Sequence, residues 1–410
     1  MILFPFYPIW GWAFTMVTNK NITTFINFLW IPVVLFYIIN KSNKLPKYLV
    51  FLIIFTVFHI ASAYFNGIIR SDSEIFFYLL FDVNVVACAL LFIIENTEFD
   101  EKFIKIMNRN IFLVVMISLA VSLIQVKFPS FFVSPAITEG DENSAFLADT
   151  RILSIYSWLN INSIGITFPI LISLLISVFE LKDKKFPLII FSGIIVSFLT
   201  KARYVMISTM MVFSQLFMSS KLSIRNKIIY ISFFFISILT IEALAESYGY
   251  SIQQVIDERI LEKGDDMQSA NARITSYYVF LQKFPENPWF GVGPETRADV
   301  VELLGGEAPL IHIGYLSYLY FYGIAGFLIL LISIFYLLKR AFMIGKKYLF
   351  WGSFYGLLAF CFANTTFVYF NFSEMGIILA VIYLKYYEDK SEVEPSGIDA
   401  EPELLQVNGN

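Results

Sequence analysis

The chain has 410 residues, 58% of them hydrophobic and 15% charged, with a formal net charge of −4. Soluble domains carry roughly 25% charged residues, and 45 phenylalanines with 23 tyrosines are more apolar surface than a water-soluble fold of this length can hide. The composition excludes a soluble enzyme and points to an all-α polytopic integral membrane protein. Nucleic-acid binding is excluded by the lack of a basic stripe. No zinc motif, P-loop or dinucleotide fingerprint is present. Cys88 and Cys361 each lie in an apolar run and form no disulfide framework. The first apolar run lacks a basic leader and a small-residue cleavage site, so it reads as a retained span.

In chain order, apolar helices are expected near residues 2–18, 22–39, 47–65, 75–94, 109–126, 161–179, 186–200, 203–219, 227–243, 310–337, 347–363 and 367–386. That makes about 12 transmembrane helices, several close to the roughly 20 residues needed to cross the hydrocarbon core. The seventh and eighth nearly abut at Lys201-Ala202-Arg203, where hydropathy alone allows either one re-entrant element or two spans.

Charge asymmetry favours two. With a cytoplasmic N-terminus, the inside loops hold Lys41, Lys44 and Lys47, then Lys102, Lys105 and Arg109, then Lys182, Lys184 and Lys185. Further along they hold Lys221, Arg225 and Lys227, and finally Lys339, Arg340, Lys346 and Lys347. The outside loops hold far fewer: Lys20, Arg70, Lys127, Arg151, Lys201 and Arg203. This bias follows the positive-inside rule and predicts both termini inside.

The body of the chain, 1–387, then carries two external loops. Residues 127–160 form the smaller, with the acidic patch Glu139, Asp141 and Glu142. Residues 244–310 form the larger, between the ninth and tenth spans, with 11 acidic and 5 basic residues. Helix-like patterning runs over 252–263 and 272–283, and Gly264, Pro285 and Pro288 mark breaks. Residues 388–410 are acidic and read as a disordered cytoplasmic tail.

Candidate chemistry collects around this larger loop. Arg203 sits at the outer mouth of a short helix pair beside Lys201. Ionisable groups at membrane depth tend to face a polar cavity or partner, although snorkelling to lipid headgroups is the plainer reading. Arg273 opens an aromatic helical run. Its guanidinium suits a phosphate or pyrophosphate, and it equally suits an ion pair with Asp265, Asp266 or Glu286. The same two readings hold for Arg297, and Lys283 and Arg259 are weaker. His312 stands at the outer start of a span and has the titration range of a general base; a packed or capping histidine is the bland alternative. His59, deep in the third span, reads as a satisfied core histidine, and Asp82 in the fourth needs a partner. In the turn Pro288-Trp289-Phe290-Gly291-Val292-Gly293-Pro294 the glycines serve tight geometry. The turn reads either as a loop corner or as a floor where Trp289 and the N–H groups of Gly291 and Gly293 meet a substrate.

Taken together, Arg273, then Pro288 with Gly291 and Gly293, then His312, then Gly323 with Gly326 resemble the O-antigen ligase and polymerase superfamily. Lys201-Ala202-Arg203-Tyr204 resembles that family's small-residue–arginine–glycine element, with tyrosine in the glycine position. His312 is followed by Ile313, where the family usually has asparagine. The motif region covers roughly residues 186–335. The resemblance implies a membrane glycosyltransferase of the bacterial inner membrane, using an undecaprenyl-pyrophosphate-linked saccharide at the outer, periplasmic face. Arg203 and Arg273 would hold the pyrophosphate, and His312 would orient or deprotonate the acceptor hydroxyl. Lys201, Trp289, Gly291, Gly293 and Arg297 would line the substrate. No cofactor is expected. No metal is expected either, since the external loops show no carboxylate or histidine cage beyond the pair Asp265 and Asp266.

The implied partners are the lipid-linked donor, a saccharide or lipid-linked acceptor, the bilayer, and a flippase and chain-length regulator. Polymerisation of repeat units is the expected reaction, by analogy with divergent polymerases. Ligation of the finished glycan to lipid A-core is the alternative. A transporter of lipid-linked saccharide and a membrane scaffold are the competing classes. A transporter should show polar residues along several spans and internal pseudo-symmetry, and no convincing internal repeat is visible.

Overall fold

The computed structural model describes residues 2–18, 31–39, 44–132, 152–156, 161–179, 183–200, 202–218, 268–295, 297–304, 311, 313–365 and 370–393. All regular structure among them is helical. After a 3₁₀ turn at Phe4–Phe6, α1 is Tyr7–Thr18 and α2 is Lys47–Phe65. Next come α3, Asp72–Phe81, and α4, Val83–Glu95, then α5, Glu101–Lys127. Three shorter helices follow: α6, Ile161–Val178, α7, Lys185–Leu199, and α8, Arg203–Phe213. In the second half are α9, Gln268–Lys283, α10, Ala298–Leu303, α11, Gly314–Tyr348, α12, Gly352–Ala363, and α13, Met375–Val393.

The architecture is all-α and polytopic, yet the span count differs from the expected twelve. Among the described residues four helical stretches are long and apolar enough to cross a membrane: Lys47–Phe65, Asp72–Glu95, Glu101–Lys127 and Gly314–Tyr348. Four more are apolar but short, Ser163–Val178, Lys185–Leu199, Tyr204–Phe213 and Gly352–Ala363. The expected span at 227–243, the first half of 22–39, the acidic patch at 139–142 and residues 394–410 lie outside the described residues.

Packing explains the short helices. Residues 163–176 of α6 are buried on every side, the mark of a helix that meets protein all round rather than lipid on one face. Residues 375–385 of α13 are buried in the same way. Such a helix need not match the bilayer thickness, because its neighbours complete the barrier. Close approach here depends on small residues. A Cβ on Gly352 would stand 2.9 Å from the Leu174 Cα, and one on Gly376 would stand 2.9 Å from the Thr167 Cα. Serines stitch the same seams, Ser173 donating to the Gly352 carbonyl at 2.7 Å and Ser353 to that of Ala380 at 2.9 Å.

α7 and α8 are separate helices, as the charge pattern required. Leu199 ends one and Arg203 begins the next, and the Ser197 and Thr209 hydroxyls meet at 2.7 Å across the pair. The fourth expected span is also two helices. α3 opens with a capping box of Ser71 and Glu74. It stops at Asp82, whose extended backbone and side chain cap α4 through the Asn84 N–H at 2.8 Å.

One end of the bundle is closed by charge. The Arg340 guanidinium in α11 grips both Glu95 carboxylate oxygens and both of Glu388, and the Tyr48 hydroxyl donates to Glu95 at 2.7 Å. α2, α4, α11 and α13 are thereby tied at one level. α13 accordingly runs on to Val393, its last turns entering the acidic segment. A buried pair stripped of one partner loses roughly 3–5 kcal/mol. Arg340→Ala is therefore expected to lower thermal stability in detergent by about that much, and Arg340→Met with Glu95→Leu to recover most of it. A loss under about 1 kcal/mol for the single change would show that the cluster is solvent-screened and not a clamp.

Candidate functional site

The larger loop enters the bundle at a break in α11. Gly323 has φ 60° and ψ −171°, so the helical hydrogen bonds that should cross it are lost. The amides of Ile324 and Ala325 lose their acceptors, and the carbonyls of Tyr320 and Phe321 lose their donors. The turn at 288–294 supplies all four replacements. Ile324 N–H donates to the Pro288 carbonyl at 2.8 Å and Ala325 N–H to that of Trp289 at 3.0 Å. In return, Val292 N–H donates to the Tyr320 carbonyl at 3.3 Å and Gly293 N–H to that of Phe321 at 2.9 Å.

Two glycines make this seat possible, one from each side. A Cβ on Gly291, whose φ is 71°, would stand 2.2 Å from the Phe321 carbonyl oxygen. One on Gly323 would stand 2.3 Å from the Trp289 carbonyl carbon. The N–H of Gly291 is itself donated to the Asn287 carbonyl at 3.0 Å. The amides of Gly291 and Gly293 are thus spent inside the protein, which gives the two glycines a framework role. Trp289 is exposed.

Beside the break lies a polar chain that sequence reading treats one residue at a time. The Tyr322 hydroxyl meets His59 Nδ1 at 2.7 Å, and His59 Nε2 approaches Asp82 Oδ2 at 3.0 Å. Nε2 lacks the alignment of a directed hydrogen bond to that carboxylate, so the second contact is a close approach. All three groups are largely buried, and they join α2, the α3–α4 break and the α11 break. His59 is thus satisfied at Nδ1 alone, short of the fully satisfied histidine expected, and Asp82 has His59 as its neighbour.

The opposite end from Arg340 gathers the starts of four helices. Tyr204, the second residue of α8, packs on Gly165 of α6, where any Cβ would stand 2.0 Å from the tyrosine ring. Glycine has in effect changed sides: the bulk at position 204 is accommodated by a partner with none. Ser163 at the start of α6 donates to the Glu374 carboxylate at 3.1 Å, as does the Asn371 amide at 3.1 Å. Phe370 N–H donates to the hydroxyl of Tyr318 in α11 at 2.9 Å, and Ser317 caps back to the Ile311 carbonyl. The backbone of Arg203 and residues 311 and 313 therefore belong to one end of the bundle.

Lys201, His312 and the side chain of Arg203 lie outside the described residues. Arg203 is the first residue of α8, whose N-cap, Ala202, offers no side-chain acceptor to the first amides. Arg273 is half-buried in α9, which packs along α11. Arg297 is exposed and starts α10, its carbonyl accepting from Val300 and Val301. Lys283 is held by Asp299 at 2.6 Å and Glu286 at 3.2 Å, a structural cluster of the loop. Its ammonium is held above the ordinary lysine range, and Asp299 below the ordinary carboxylate range, chiefly by the hydrogen bond they share.

Glu374 was missed by sequence reading. Its signal was a single acid inside the apolar run Phe372–Leu379, the same signal that flagged Asp82. Among the described residues no group of three or more His, Cys, Asp or Glu side chains is placed to hold a metal ion.

Residues 187–331 match a family model described as O-antigen ligase, Wzy_C. The matched segment contains Arg203, Arg273, the 288–294 turn, position 312 and the Gly323 break. No curated protein matches the chain.

The glycine seat carries a prediction. Alanine at Gly291 or Gly323 meets backbone and a positive φ together, so each change is expected to destabilise the full chain by about 2–4 kcal/mol. Because both act on one contact, the double variant should lose clearly less than the sum. Scanning fluorimetry in detergent reads this, and simple additivity would separate the two glycines.

Proposed function

With an O-antigen ligase-type domain over residues 187–331 as the premise, we propose that the protein transfers a glycan from a polyprenyl-pyrophosphate carrier to an acceptor hydroxyl at the outer face of the bacterial inner membrane. The observation that carries this reading is the match itself, which encloses both arginines, the turn and position 312. The family description names a ligase, which supports ligation of a finished glycan over the polymerisation expected from the sequence. Polymerisation stays as the second reading, because Tyr204 and Ile313 stand where the ligase-like motif has glycine and asparagine.

The chemistry follows from the charges. The donor is already activated, since its anomeric C1–O bond leads to a pyrophosphate. A helix N-terminus directs its first amides at an anion, and α8 presents such amides with no side-chain cap and with Arg203 in the first position. Arg203 and Arg273 would stabilise charge on the leaving pyrophosphate as the C1–O bond breaks. The acceptor oxygen forms the new bond to C1 from the opposite side, inverting that carbon. Its proton passes to a base, for which His312 is the first candidate and Glu374, at the same end of the bundle, the second. Polyprenyl pyrophosphate leaves as the other product.

With both termini placed inside by the charge pattern, the Arg203 end faces outward and the Arg340 end faces the cytoplasm. The lipid-linked saccharide transporter is the competing class, and it predicts no covalent product.

Deletion of the gene separates the readings on a gel of surface polysaccharide. Lost ligation leaves full-length polymer on its carrier lipid, whereas lost polymerisation leaves single repeat units on the acceptor. Complementation with Arg203→Ala or Arg273→Ala is expected to fail, each change slowing transfer by about 10²–10³-fold. His312→Ala should cost about 10²–10⁴-fold if it is the base, and Glu374→Gln takes that loss if it is the base instead. Normal polysaccharide from all four variants would refute the site.

A further inference from the structure

α9 carries two apolar faces, and among the described residues only one of them meets protein. Ser276, Val279 and Phe280 are buried against the bundle. Ile274, Tyr277, Tyr278 and Leu281 recur at helical spacing on another face and are 47–66% exposed. Trp289 and Phe290 of the turn, 63% and 67% exposed, extend the apolar surface. A loop standing in water has no use for such a stripe, and contiguous exposed patches of this kind mark an interaction surface.

The depth of the turn says what covers it. From Arg340, in the charged clamp at one end, to Gly323 is about 25 Å along α11 at 1.5 Å per residue. The hydrocarbon core is about 30 Å thick, so the break and the turn seated in it stand near the opposite edge of that core. Two further contacts agree. The Phe290 ring stacks on Phe58 of α2 at 6.4 Å between centroids, about 10 Å short of that helix's end. Gly293 lies against Asn66 and Ile68, just beyond that end. Only the 3₁₀ turn Phe284–Glu286 and Asn287 separate α9 from the turn, so the C-terminal end of α9 lies close to the same level. At the tip of α2, Tyr64 and Phe65 are 55% and 83% exposed, which continues the apolar surface onto a membrane-spanning helix.

We propose that α9 and the 288–294 turn form an interfacial element seated in the bilayer, with Ile274, Tyr277, Tyr278, Leu281, Trp289 and Phe290 covered by lipid at the membrane boundary. Amphipathic aromatics suit that layer. The larger loop is then not a wholly aqueous appendage: its second half is part of the membrane domain. Arg273 shares the inward face with Ser276 and Phe280. On the reading of function above, its guanidinium waits on the protein side of a lipid-seated helix, at the level where a lipid-borne pyrophosphate arrives.

Spin labels test this in the full chain, reconstituted in phosphatidylethanolamine–phosphatidylglycerol vesicles with Cys88 and Cys361 replaced by serine. Single cysteines at positions 274, 277, 278 and 281 should give labels more accessible to oxygen than to a water-soluble nickel chelate. Labels at Thr275 and Gln282, exposed on the polar flank, should show the reverse. Chelate access at all six would overturn the proposal in favour of a solvated helix. Low access to both reagents along the stripe would also overturn it, because protein then covers the face.

Trp289 gives a second arm that needs no cysteine chemistry. The emission lost on Trp289→Phe should be blue-shifted and quenched several-fold by brominated lipid. Quenching by aqueous iodide with no effect of bromine would sink the idea. Neither arm reads glycan transfer, so the proposal stands or falls apart from the assigned reaction.

Discussion

The structure depends on the repair of one broken helix. At membrane depth an unsatisfied amide or carbonyl costs several kcal/mol, so a helix interrupted inside the bilayer requires a substitute for each bond it loses. In α11 the substitute is a stretch of loop, and its carbonyls and amides take the four positions left open around Gly323. Neither side is stable alone. The loop would carry unpaired backbone into an apolar layer, and α11 would be open at its break. The pairing also explains why glycines face each other across the contact: two backbones running this close leave no volume for a Cβ on either.

Around that seat the fold is asymmetric from end to end. The Arg340 end is an ion cluster in which one guanidinium holds two carboxylates and four helices are locked at one level. At the Arg203 end, serines, an asparagine amide and a partly buried carboxylate hold the helices by single hydrogen bonds. A closed network rigidifies, whereas single hydrogen bonds hold the helices less firmly. The Tyr322–His59–Asp82 chain lies between the two ends and ties the break to α2 and to the interrupted α3–α4 span.

Much of this was legible in the sequence, and what was not has a common cause. Hydropathy and charge bias identified a polytopic helical chain and separated the two helices flanking Lys201. Among the described residues fewer stretches are long enough to cross than hydropathy implied, because hydropathy assumes that every apolar run meets lipid. α6 and α13 meet protein on all sides, so their hydropathy says nothing about crossing length. The turn's glycines were read as a corner or a substrate floor, since their partner, Gly323, lies some thirty residues away and has no local mark. His59 was read as a satisfied core histidine and Asp82 as an acid in need of a partner, and only topology could show that the two meet. Lys283 and Glu374 make the same point in opposite directions: the lysine was a weak candidate whose partners were unread, while the carboxylate went unread among apolar neighbours.

Membrane depth connects these features to a reaction. A glycan carried on a polyprenyl chain brings its pyrophosphate to the lipid–water boundary, because the isoprenoid stays in hydrocarbon and the sugar stays in water. Cations meant for that anion must stand at the same level, where an isolated guanidinium is poorly solvated and drawn toward headgroups. A loop tethered only at its two ends would hold Arg273 there with little precision. A helix fixed to the bundle through its buried face and through a turn locked into α11 restricts its height and its rotation together. The break in α11 thus has a reason beyond the geometry of one turn. On the proposed function and membrane seating, it would fix a soluble-looking loop at a set depth, so that residues far apart in the chain could address a substrate that itself never leaves the membrane.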